Sequence, residues 1–181
     1  MNNTSPIAAD FRFRRLRRTG ALRDLVRETR LHPSDFIRPI FVQEGIQEPV
    51  AIDSMPGVFR YPEEQLAEQV RASWKKGIRA VLLFGVSSHK DAIGADTWND
   101  QGLMARMIRV AKAAQPEMCV ISDNCFCEYT EHGHCGVVKG DDVDNDQTLV
   151  NLKKQVLVAA RAGVDVIAPS GMQDGMVQAL R

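Results

Sequence analysis

Neither sign of charge is in excess in this sequence: 23 Lys and Arg stand against 23 Asp and Glu, for a formal net charge of zero and a pI near 6.9. A chain so balanced has no bulk positive field with which to hold a polyphosphate, which argues against a nucleic-acid partner. No stretch approaches the roughly 20 apolar residues that a membrane-spanning helix needs. The opening segment MNNTSPIAADFRFRRLRR also lacks the apolar centre of a secretory signal. These absences predict a cytoplasmic protein with no membrane partner. Cysteine is scarce as well. Of four, three fall within the eleven residues from Cys125 to Cys135. In a chain without an export signal that clustering points to a metal rather than to disulfides. A length of 181 residues, 44% hydrophobic and 25% charged, is ordinary for one globular domain with a real core.

Residues 11–30 hold eight arginines against Asp24 and Glu28, with Leu16, Leu22, Leu25 and Val26 interleaved. This reads as a basic arm with a short helix, and residues 1–35 are assigned to it. The run is short and interrupted, which favours a solvated or subunit-contacting extension over a nucleic-acid tail. From residue 36 to 181 the pattern becomes a regular strand–helix alternation. FIRPIFV at 36–42 is a strand, followed by a turn-rich connection through Met55, Pro56 and Gly57. Pro62 opens a helix with Leu66, Val70 and Trp74 on one face and Gly77 as its stop. RAVLLFGV at 79–86, an unbroken apolar run, predicts a strand buried on both faces. A helix from near Asp100 carries Leu103, Met107, Val110 and Ala111 inward until Pro116, and MCVISD at 118–123 is the third strand. After a long loop, Asp144 or Asn145 caps a helix with Leu149, Leu152, Val156 and Ala159 inward and Gly163 at its end. VDVIAP at 164–169 is the fourth strand, and Met172, Met176 and Leu180 mark a helix over 172–181. Four such units predict an α/β fold, either doubly wound or part of a (β/α)8 TIM barrel. The lack of a glycine-rich phosphate loop speaks against the first. Both architectures bring the loops 86–99, 124–144 and 170–173 to one rim.

The rim loops contain the unusual chemistry. DNCFCEYTEHGHCG sets Cys125, Cys127 and Cys135 in a C-x-C-x7-C array, with His132 and His134 beside the third cysteine. Three thiolates suit zinc. The C-x-C pair can serve one ion only if the backbone between the two cysteines leaves extended geometry, so the segment is predicted to be a loop. Three ligands leave a fourth position open, as in catalytic sites, whereas a structural site would recruit His132 or His134; unmetallated thiols are the remaining reading. Cys119, inside an apolar strand, is assigned to the core.

The cysteine motif, with MPGV at 55–58, VDNDQT at 143–148 and IAPSGMQDG at 167–175, resembles the porphobilinogen synthase (delta-aminolevulinic acid dehydratase) family from about Arg14 to Arg181. The resemblance implies a zinc-dependent lyase that condenses two 5-aminolevulinate molecules to porphobilinogen in haem biosynthesis. It also implies a TIM barrel whose amino-terminal arm wraps a neighbouring subunit, typically in a homo-octamer. By the same resemblance Cys125, Cys127 and Cys135 are the zinc thiolates, Asp123 and Ser170 line the substrate pocket, and His134 matches a second metal position found in some relatives. Asp123 could instead serve only the following turn, and Ser170 could be a helix cap.

The Schiff-base lysines that the resemblance implies lie in the second half of the barrel, beyond Arg181. Seven lysines are present. Lys75, Lys76, Lys112, Lys153 and Lys154 fall on predicted helices as surface amines, and Lys90 and Lys139 fall in rim loops without matching a catalytic position. The chain is therefore expected to be the first half of a barrel, inactive alone. The alternative expectation is a zinc-binding or regulatory fragment of that enzyme.

Overall fold

The computed structural model describes residues 14–181. The first part of the predicted arm, residues 1–13, lies outside the described residues. The chain divides into two compact units between His32 and Pro33. In the first, a 3-10 turn at Arg15–Arg17 precedes α1 (Gly20–Leu25). The hydroxyl of Thr19 starts that helix by accepting the Leu22 N–H at 3.2 Å.

The second unit runs β1 (Ile37–Gln43), β2 (Val50–Ala51), β3 (Phe59–Tyr61), α2 (Leu66–Lys75), β4 (Ala80–Val86), α3 (Leu103–Ala114), β5 (Cys119–Asn124), β6 (Val138–Lys139), β7 (Asp142–Val143), α4 (Asn145–Ala162), β8 (Val166–Pro169) and α5 (Met176–Leu180). β1, β4, β5 and β8 are parallel neighbours in chain order. A doubly wound sheet would reverse its order at a switch point; unbroken order is that of successive barrel strands. Two short hairpins were not anticipated. β2 and β3 pair across the Met55–Gly57 turn, with β3 also lying parallel to β1. β6 and β7 pair within the cysteine loop, turning through Gly140 at φ 64.

The helices begin and end where local chemistry dictates. Asp144 caps α4 by accepting the Gln147 N–H at 3.0 Å, and Gly163, at φ 97, ends it in the left-handed conformation. Leu66 and Val70 of α2, Leu103, Met107 and Ala111 of α3, and Leu152 and Ala159 of α4 are buried as the periodicity predicts. On α4 the buried stripe runs Leu152, Gln155, Val158 and Ala162, leaving Val156 only half-buried.

Two expectations need correction. β4 is not covered on both faces: Val81 and Leu83 are fully buried, while Ala80, Leu82, Phe84 and Val86 are half-buried. α2, α3 and α4 share one core with the buried residues of β1, β4 and β5. On the other face Phe41 and Phe84 stack at 4.8 Å. The last helix begins at Met176 rather than near Met172, which is 96% exposed. Residues just before Met176 are tied elsewhere: Asp174 N–H donates to Asn145 Oδ1 at 2.8 Å, and Gly175 has φ 78. Among the described residues no helix is long and apolar enough to cross a membrane.

Candidate metal and active site

The rim loops meet as expected. The loop after β4 pairs with the cysteine loop at Asp91 and Thr130, with Glu131 N–H donating to Asp91 O at 3.0 Å. The loop after β8 joins through Ser170 N–H, which donates to Asn124 O at 3.1 Å.

The cysteine loop is shaped by what lies between its thiols. Phe126, the residue separating Cys125 from Cys127, is 2% exposed and packs with Leu152 and Met176 and edge-on to Trp98 at 6.4 Å. A tight turn follows, Tyr129 N–H donating to Phe126 O at 2.9 Å. With the aromatic ring sunk toward α4 and the chain bent, the flanking sulfurs come together. Cys125 Sγ lies 2.8 Å from Cys127 Sγ, which lies 2.9 Å from Cys135 Sγ. Cys135 is delivered by Gly136, where a Cβ would collide with Thr148 and Val143. The closeness is kept by Thr148 Oγ1, which accepts the Val137 N–H at 3.0 Å.

Among the described residues two groups could hold an ion, their ligand atoms within 4.8 Å of one another: Cys125 with Cys127 and Cys135, and Asp123 with Cys125 and Glu128. Neither His132 nor His134 belongs to the first. His132 Nε2 lies 3.0 Å from Ala92 O, and its Nδ1 faces the His134 N–H at 3.1 Å. The thiol donor set fits a soft or borderline ion with one position left open. Two thiolates on a tetrahedral zinc stand about 3.8 Å apart, so the sulfurs would spread by about 1 Å to receive it. Burial pushes the Cys125 thiol up to about 11 and raises Cys127 further, so a metal must displace their protons. Burial, with the negative charge of Glu128 beside it, lifts Asp123 to about 7.

Ser170 is exposed and lies two residues beyond Ala168, the register partner of Asp123, so both stand on the same side of the sheet at the rim. Lys90 is exposed, and Lys139, also exposed, lies 3.8 Å from Asp144. A cleft of about 370 Å³ opens beside Cys135, lined also by His134, Asp142, Asn145, Met172 and Gln173.

Two parts of this rim were not foreseen. Glu44, just after β1, accepts hydrogen bonds from Ser88 N–H at 2.9 Å and from Arg106 at 2.7 Å, and Arg106 also holds Glu63 at 2.8 Å. Partial burial alone would raise Glu44, but these bonds and those from the Ser88 hydroxyl and His89 hold it at about 2. The second part is a pair of amides: Gln155 Nε2 donates to Cys125 O at 2.9 Å and Gln173 Nε2 to Cys135 O at 3.2 Å. The signal for Gln155 was a polar residue three after Leu152 and four before Ala159, on the inward face of the helix.

Residues 10–181 match the family described as Delta-aminolevulinic acid dehydratase. The chain is 54% identical over 168 residues to the delta-aminolevulinic acid dehydratase of Escherichia coli (strain K12), covering 93% of this chain and 52% of that protein. It is 46% identical over 170 residues to that of Bacillus subtilis (strain 168), covering 94% and 52%. Its fold overlays a crystal structure of delta-aminolevulinic acid dehydratase (porphobilinogen synthase) from Toxoplasma gondii ME49, in complex with the reaction product porphobilinogen. The TM-score is 0.89 at 36% identity, over 96% of this chain and 50% of that one. The chain thus spans about half the length of the relatives it matches. With the unbroken order of its parallel strands and a family match over residues 10–181, the chain belongs to the delta-aminolevulinic acid dehydratase family and forms about half of its TIM barrel.

Proposed function

We propose that this chain forms the metal-binding half of a porphobilinogen synthase, a lyase that condenses two 5-aminolevulinate molecules to porphobilinogen with loss of water in tetrapyrrole biosynthesis. The observation that carries the reading is the convergence of Cys125, Cys127 and Cys135 at the rim of a sheet built like those of this family. When bound, zinc would supply Lewis-acid polarisation of a substrate carbonyl or amino group. The chain's own residues hold and orient. The three thiolates leave one position for substrate, Asp123 can accept a hydrogen bond from a substrate ammonium, and the Ser170 hydroxyl offers a donor on the same side of the sheet. On the same face of the sheet, stacked Phe41 and Phe84 make an apolar wall beside Asp123. Ketone activation by Schiff-base lysines is assigned to residues outside this sequence. The same reading carries a homo-octameric assembly and a cytoplasmic location.

The test uses the polypeptide purified from its native source. Its intact mass is measured first, and porphobilinogen formation is then followed before chelation, after it, and after zinc is returned. A mass near twice that of these 181 residues, with activity lost on chelation and restored by zinc, is expected; a zinc-loaded protein that consumes no 5-aminolevulinate would overturn the reading. The second reading, a zinc-binding fragment, is favoured by the half-length match. Under it the polypeptide from the native source has the mass of these 181 residues, binds metal and is not trapped by borohydride with 5-aminolevulinate, whereas the full enzyme would be trapped.

A further inference from the structure

The thiol cluster is gripped from behind by hydrogen bonds that never touch sulfur. Ser122, Asn124 and Gln155 are 0%, 1% and 3% exposed, and together they form a one-way relay. Ser122 Oγ donates to Asn124 Oδ1 at 2.9 Å, Asn124 Nδ2 to Gln155 Oε1 at 3.3 Å, and Gln155 Nε2 to the carbonyl of Cys125 at 2.9 Å. The direction is forced, because a backbone carbonyl only accepts and the amide nitrogen must face it. On the other side of the cluster Gln173 Nε2 holds the carbonyl of Cys135 at 3.2 Å, and Asn145 fastens that loop through Asp174.

We propose that Gln155 and Gln173 are positioning residues for the thiolate site, setting the separation of the sulfurs by fixing the peptide planes that follow Cys125 and Cys135. This inference rests on the metal-binding reading above. The peptide after Cys125 is the hinge of the C-x-C bend: its carbonyl is drawn to α4 while Phe126 sinks into the core, and this rotation turns Cys127 back toward Cys125. A neutral amide bonded to a carbonyl leaves every sulfur lone pair free for an ion. A relay buried this deeply also costs free energy if any member loses its partner, which makes the bend a single well-defined conformation. Gln173, by contrast, sits at the edge of the cleft and can yield, so the third thiol is the adjustable one.

The experiment titrates Co(II), as a spectroscopic probe, into the metal-free full-length polypeptide and then competes it with zinc, for the wild type, Gln155→Met, Gln155→Glu, Gln173→Leu and a Cys127→Ser control. The expected result is strong thiolate-to-cobalt charge-transfer absorption in the wild type. In Gln155→Met the absorption weakens or shifts, and affinity falls about tenfold or more. Gln155→Glu falls further, because a carboxylate not only lacks the donor but sets a buried negative charge against the Cys125 carbonyl oxygen, and Gln173→Leu shows the smallest loss. Gln173 lies outside the core, so its variant keeps the test open if the Gln155 variants fail to fold. Wild-type binding with unchanged spectra and affinities in the glutamine variants overturns this inference alone. A wild type that binds no cobalt, or binds it equally well in Cys127→Ser, overturns the metal reading and this inference with it.

Discussion

At the amino-terminal ends of the strands, polar side chains satisfy one another. Arg38 donates to Ser73 Oγ at 2.8 Å and to Gln69 Oε1 at 2.8 Å, and Lys112 meets Asp165 at 2.9 Å while Asp165 also accepts the Val120 N–H at 2.8 Å. At the carboxyl ends, Cys125, Cys127 and Cys135 face one another, with amide side chains bonded to the carbonyls of Cys125 and Cys135, and Asp123 stands beside Glu128 with its carboxyl raised rather than lowered. Groups paired with an opposite charge stabilise, whereas groups held near like partners are poised to receive something else. The parallel sheet makes the division, since the loops with freedom to carry chemistry lie at one end.

Substitutions can break that contrast, and the largest expected effect is at the thiols. Cys127→Ser should weaken metal binding by about 100-fold or more while leaving the urea midpoint of the metal-free chain nearly unchanged. A large loss of metal-free stability would instead make Cys127 a packing residue.

Glu44 sharpens the comparison by placing a stabilising group at the reactive end. Its carboxyl is depressed from the ordinary 4.5 to about 2. A depressed acid stabilises the fold above its unfolded pKa and loses that contribution as pH falls through its folded one. Stability should therefore drop between about pH 4.5 and 2, by roughly 1 to 3 kcal/mol from this group. Denaturant midpoints taken across that range should show the drop, and Glu44→Gln should flatten its share of it.

The smallest effect is expected at the other end. Lys112→Met removes the half-exposed pair with Asp165 and should cost no more than about 1 kcal/mol, with no change in cobalt affinity. A change in cobalt affinity would show that the two ends are coupled.

Much of this was legible because it is local. Cys125, Cys127 and Cys135 lie within one loop, so their spacing announced a ligand set before any fold was known, and the stops at Gly77 and Gly163 follow from glycine's access to positive φ, observed at 87 and 97. Other features were hidden by distance along the chain. Gln155 acts on a carbonyl 30 residues away, and Glu44 is bound by Arg106, 62 residues away; neither separation leaves a periodic trace. The start of the last helix was misplaced because Met172 fits the periodicity while Asn145, 29 residues earlier, holds Asp174 in a turn.

The sequence by itself determined the alternation of strands and helices, the caps that bound the helices, and the identity of the thiol donors, because these depend on neighbours within a few residues. Only the tertiary structure decided which face of β4 is covered, how Phe126 bends the chain so that Cys125 and Cys127 converge, and which amides hold the carbonyls of Cys125 and Cys135. Each of these depends on what another element brings into contact, and burial and hydrogen-bond partnership are properties of that contact rather than of either segment alone.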